Sequence, residues 1–82
     1  MNQKIKQAIL KALLACDGLP MPESALFSAV ETYCRPSHPT QSDISAGISM
    51  LEIEQFILGT SDDISGTSWM LSVKGTLKAR QL

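Results

Sequence analysis

Apolar side chains recur every three or four positions through the first stretch of the chain. Ile5, Ala8, Ile9, Ala12, Leu13 and Cys16 form one stripe, and Leu10 and Leu14 widen it. That spacing predicts a helix over 2–16, wide enough in its apolar face to be covered on more than one side or to touch a partner. Asn2 suits its N-cap, and Gly18 suits the left-handed residue that ends it. Leu19-Pro20-Met21-Pro22 reads as a short extended link, because its two prolines lack N–H donors and bias their predecessors away from helix. A second helix starts at Pro22 with Glu23 against the positive end of its dipole. Ala25, Leu26, Ala29, Val30 and Tyr33 form its inner face, with Phe27 at the margin. Arg35-Pro36-Ser37-His38-Pro39 breaks that helix into a loop.

Thr40-Gln41-Ser42-Asp43 has the form of a capping box, with Thr40 and Asp43 exchanging hydrogen bonds. The third helix then runs to about Glu54, with Ile44, Ile48 and Leu51 facing inward. Gly47 within it is about 1 kcal/mol less favourable than alanine. Gln41, Ser42, Ser45, Ser49 and Glu52 fall on its other face. The periodicity changes after Gln55. Phe56–Leu58 and Trp69–Leu71 are rich in strand-forming residues, and turn-formers fill the interval between them. Gly59 and Thr60 lead out of the first strand into this turn, whose tip is 62–65. Ser72 can cap a last short helix by accepting the N–H of Lys74 or Gly75. A β-hairpin alone is marginal in water, so the helices before it are expected to cover its apolar face.

Composition narrows the class. A chain of 82 residues with 44% hydrophobic and 18% charged side chains folds as one domain, 1–82, rather than staying disordered. No apolar run is long enough to span a bilayer. The apolar stretch after Lys4 and Lys6 is interrupted by Lys11 and lacks the small-residue cleavage site of a leader, so a cytoplasmic location is expected. Cys16 and Cys34 stand at no metal or redox spacing, and each falls on the apolar side of a helix, where a reduced core thiol is expected. One histidine, His38, cannot build a metal cluster or a catalytic triad. Asp62-Asp63 lacks the spaced ligands of a calcium loop, and the glycines match no phosphate-binding spacing. No enzyme activity, metal, cofactor or small-molecule substrate is therefore expected.

Three helices, a hairpin and a final short helix is the order of a winged-helix domain. Trp69-Met70-Leu71-Ser72-Val73-Lys74-Gly75 resembles the segment that closes the wing in many small bacterial winged-helix transcriptional regulators. Leu51 to Gly59 is similar to the end of their recognition helix and the entry to the wing. The resemblance implies an α+β, mostly α fold: a three-helix bundle, a two-stranded wing and a short C-terminal helix. It further implies that the third helix enters the major groove of DNA. That helix would present Gln41, Ser42, Ser45 and Ser49, with Arg35 and His38 flanking it and the wing tip against the neighbouring backbone.

Charge separates two functional readings. Lys4, Lys6 and Lys11 lie near the start, Lys74, Lys78 and Arg80 near the end, and only Arg35 stands between. From 36 to 73 there is no Lys or Arg, yet Asp43, Glu52, Glu54, Asp62 and Asp63 fall there. Phosphate binding rests on cations, so this layout departs from the usual pattern of the family. One reading is a DNA-binding regulator, as a homodimer on two half-sites where dimerisation doubles the contacts. The other is a protein interaction module that docks through the first helix or through the acidic third-helix and wing face. Packing of the first helix on the last would gather Lys4, Lys6, Lys78 and Arg80 into one basic patch. The alternative for those four is a solvated rim of scattered charges. A small phage or mobile-element protein, alone or within an assembly, would share all these features.

Overall fold

The computed structural model describes residues 3–16, 18–35, 39–64 and 66–82. Helix α1 (Gln3–Ala15) is followed by strand β1 (Met21–Pro22), α2 (Glu23–Cys34), α3 (Gln41–Ile53), β2 (Ile57–Asp62), β3 (Gly66–Leu71) and α4 (Val73–Arg80). This is the expected helical order with the expected hairpin, plus one strand that periodicity did not reveal.

Helix α1 is the hub. It packs against α2, α3, α4 and β3, and Ile5, Ala8, Ile9, Leu10, Ala12 and Leu13 are all buried. The surplus width of its apolar stripe is thus used within the chain. Leu10 is 4% exposed, which removes it as a docking side chain, and Leu14 is half-buried. Gly47 lets α3 lie close: a Cβ there would stand 3.1 Å from both Ile5 Cγ2 and Ile9 Cδ1. Gly18 is left-handed at φ 85°, but it lies three residues beyond the end of α1, in a turn where the Leu19 N–H reaches the Cys16 carbonyl at 3.1 Å, while Asn2 lies outside the described residues.

The proline-rich link is not merely extended. Met21 pairs with Trp69 and Pro22 with Ser68, making β1 the edge of a three-stranded antiparallel sheet ordered β1-β3-β2. An edge is where proline fits, since its missing N–H can face away from the ladder. Pro22 also occupies the N-cap of α2 rather than its first turn. The hairpin strands are longer than the apolar runs suggested, with six pairs from Ile57↔Leu71 to Asp62↔Gly66. Gly59 therefore sits inside the strand, opposite Trp69, where a Cβ would come within 2.7 Å of the indole ring. The large residue fills the space that the small one leaves, and the ladder continues past it. Phe56 stands just before β2 and is half-buried.

Two inner-face assignments on α2 are corrected. Tyr33 is 47% exposed and Ala25 is exposed, and the buried set is Leu26, Val30 and Cys34. Steps of four residues drift around the helix, so the stripe ends on Cys34. Tyr33 falls at its margin, beside the lysine-bearing side of α1, where the hydroxyl reaches water. Both cysteines are free thiols. Cys34 is buried, whereas Cys16 is only half-buried, its Sγ donating to the Ala12 carbonyl at 3.6 Å.

Candidate nucleic-acid interface

Helix α3 begins on a complete capping box. Thr40 Oγ1 accepts the Asp43 N–H at 3.1 Å, and the Thr40 N–H donates to Asp43 Oδ2 at 3.2 Å. The cap fixes where the helix starts and therefore which residues face out. Ile44, Gly47, Ile48 and Leu51 are buried; Gln41, Ser42, Ser45 and Ser49 are exposed. Their outer face continues into Met50, 38% exposed, and Ile53, 74% exposed. Helical phase puts Ile53 in line with Ser42 and Ser49, so apolar side chains join Ser49 and Glu52 on the C-terminal half of this face.

The end of α3 sets the wing. Gln55 takes a left-handed conformation at φ 66°, and the Phe56 N–H reaches back to the Leu51 carbonyl at 2.9 Å. With the Gln55 N–H on the Glu52 carbonyl at 3.0 Å, this is a Schellman C-cap made without glycine. At the tip, Asp62 Oδ1 accepts the Ile64 N–H at 2.7 Å, and Gly66 turns the chain at φ 75°. The Ile64 side chain is 97% exposed. Ser72 ties the wing's far end to the bundle. Its Oγ accepts the Gly75 N–H at 3.0 Å, and its O–H lies 2.6 Å from the Gln55 carbonyl and 3.0 Å from that of Phe56.

Arg35 is exposed at the C-cap of α2, and His38 lies outside the described residues. The basic residues of the chain ends gather elsewhere, on α1 and α4. Lys6 and Lys78 line one cleft of about 290 Å³, floored by Leu10, Leu51 and Phe56. Lys6 also donates to Glu54 Oε1 at 2.8 Å. Lys4 borders a neighbouring groove with Lys11 and Tyr33, and Gln7 lines both hollows. Arg80 is exposed, and helical phase sets it across α4 from Lys78.

Glu54 is a site residue that sequence reading left among the scattered acids. Its carboxylate holds Lys6, and its carbonyl accepts Lys74 Nζ at 3.0 Å. The same ammonium sits 4.7 Å above the Phe56 ring, a favourable cation–π distance. Lys6 and Glu54 are 48 residues apart, and no local pattern announces such a pair. The exposed Ile53 could have been found, since it follows Ser49 by four positions on the outer face. Among the described residues no group of three or more His, Cys, Asp or Glu side chains could hold a metal ion, and no helix is long and apolar enough to cross a membrane.

No protein-family model and no curated protein sequence matches this chain. Its structure is similar to that of a solved transcriptional regulator of the MarR family from Silicibacter pomeroyi, with a TM-score of 0.68 at 20% identity. The match takes in 95% of this chain and 47% of the regulator's, so the chain spans about half of that protein's length. The likeness shows the fold, which is a winged helix.

Proposed function

We propose that the chain is a non-catalytic winged-helix module, one domain over 1–82, that binds DNA through the outer face of α3. The observation that carries this reading is the exposed, hydrogen-bonding surface of Gln41, Ser42, Ser45 and Ser49 on a helix whose start is fixed by its capping box. Glutamine and serine can pair with base edges in the major groove, and backbone N–H groups at the start of α3 can meet a phosphate. Arg35 and His38 would flank that start, and two copies on paired half-sites would double the contact area. The likeness to a regulator supports this reading as an analogy of fold.

A second reading is that α3 and the wing dock a protein. Met50, Ile53 and Leu58 are exposed apolar residues on or beside that surface, and the sequence from 36 to 73 supplies acids and no base. Titration of a fluorescein-labelled duplex of mixed sequence at 50 and 200 mM salt separates the two. DNA binding requires affinity at the lower salt that weakens at the higher. Complete absence of binding at 50 mM would leave only the protein-docking reading.

A further inference from the structure

The charges of this molecule are sorted by element. Helices α1 and α4 hold Lys4, Lys6, Lys11, Lys74, Lys78 and Arg80, six of the seven Lys and Arg residues, and neither helix contains an acid. The two helices pack together. From Lys78 the basic surface passes to Lys6 in the shared cleft, across Gln7, and on to Lys4, Lys11 and Tyr33 in the adjoining groove. Glu54 offsets Lys6, while Lys11 and Lys78 are exposed at the two ends of the strip. The outer face of α3 has no such cations. It also points away from this strip, because the opposite side of α3, at Gly47, is the one that meets α1.

We infer that the phosphate backbone of DNA is held on the α1–α4 strip, with Lys11 and Lys78 as its anchoring cations. The inference rests on DNA being the ligand, as the proposed reading has it, and moves the duplex from the outer face of α3 to the opposite side of the molecule. Affinity for DNA comes largely from cations that displace counterions from phosphates, and this strip is where the chain keeps its cations. Gln7 between the lysines adds amide donors suited to phosphate and sugar oxygens. Tyr33, half exposed beside Lys4 and Lys11, offers a hydroxyl and a ring at the strip's edge. A lipid surface fits less well. Of the exposed large apolar side chains on α4, Val73 and Leu77 are the two within the helix, against the broad apolar face that such binding uses.

The test compares the full chain with K11E/K78E, K11Q/K78Q and Q41A/S45A/S49A, using the same labelled duplex over a salt series. All substituted side chains are exposed, and thermal unfolding of each variant checks that the fold persists. Charge reversal is expected to weaken binding about tenfold or more at 50 mM salt and to flatten the slope of log K against log salt by about two. Neutralisation should act in the same direction and less strongly, and the α3 variant should keep the salt slope of the parent. Loss of binding at 50 mM salt in the α3 variant, with K11E/K78E binding like the parent in affinity and slope, would overturn the inference and leave the DNA-binding reading standing. No binding by the unmodified chain at 50 mM would overturn both. Binding to anionic lipid vesicles but not to DNA, abolished by Leu77→Ser, would assign the strip to a lipid surface and overturn it as well.

Discussion

Gln55 holds a conformation that suits glycine better. At φ 66° its Cβ crowds the backbone, a penalty of about 1–2 kcal/mol for an ordinary residue. Gln55→Gly relieves that strain but gives the unfolded chain more freedom, which returns about 0.4–1 kcal/mol. The expected result is a net gain of up to about 1.6 kcal/mol, read as a higher urea midpoint with an unchanged slope. Gly75 is the reverse case. A Cβ there would overlap the Phe56 carbonyl oxygen and come within 2.8 Å of its carbon. Gly75→Ala gains about 1 kcal/mol of helix propensity but must push backbone apart, so a net loss of about 1–3 kcal/mol is expected. A more stable variant would show that α4 does not approach the end of α3 this closely. Ser72→Ala removes the cap on Gly75 and the O–H bond to the Gln55 and Phe56 carbonyls together. Its expected loss is about 1–2 kcal/mol, measured by the same unfolding curves. These residues differ in how readable they were. Ser72 and Gly75 stand in a serine-to-glycine spacing that announces a capped, closely packed helix. Gln55 carries no such mark, because glutamine seldom adopts φ above zero, and only the Phe56-to-Leu51 bond requires it.

Among the elements, the helices were legible because each carries its own periodic record of burial. The sheet was only half legible. Its central strand, β3, has apolar residues that pack on the bundle at Trp69 and Leu71, and the alternation shows. Strand β1 is two residues long and half proline, too short for any period to register. Its existence depends on β3 being able to take a second partner, which is a property of the fold. The length of β2 escaped for a related reason. Beyond Ile57 every residue of that strand is exposed, and Gly59, Thr60, Ser61 and Asp62 read locally as a turn. Pairing with β3 holds them extended. Strand order has a measurable consequence. Trp69 and Ser68 have neighbours on both sides, whereas Ser61 and Asp62 have one and lie near the tip. Amide exchange should therefore be slowest near Trp69 and Leu71 and faster by orders of magnitude at Ser61 and Asp62. Equal protection along the hairpin would mean that the wing is anchored at its tip as well. The exposed apolar end of α3 follows the same rule: Ile53 fits the outer face by helical phase, but only the fold shows that nothing within the described chain covers it.

At the scale of the whole molecule, a net charge of −1 conceals a separation of charge. The acids without bases lie between 36 and 73, on α3 and the wing, while every base but Arg35 lies on α1 and α4. The body extends 33 × 28 × 21 Å, so distance and screening decide whether one pole influences the other. At 0.1 M salt the Debye length is about 10 Å, and at 0.01 M it is about 30 Å, comparable to the molecule itself. The wing tip lies about 17 Å along β3 from the end that packs near α4, taking about 3.3 Å for each residue between Gly66 and Leu71. Glu52→Gln combined with Asp63→Asn removes two exposed acids from the α3 and wing side without touching the Asp62 turn or the Glu54 pair. With DNA held on the α1–α4 strip, this double variant should bind duplex within about twofold of the parent at 0.1 M salt. At 0.01 M, where the field of the acids reaches across the molecule, the gain should become severalfold. With DNA lying over α3 and the wing, the two removed acids would face phosphates directly, and the gain would be large at both salts. A severalfold gain already at 0.1 M would therefore place the duplex on α3, and its confinement to low salt would place it on the opposite face.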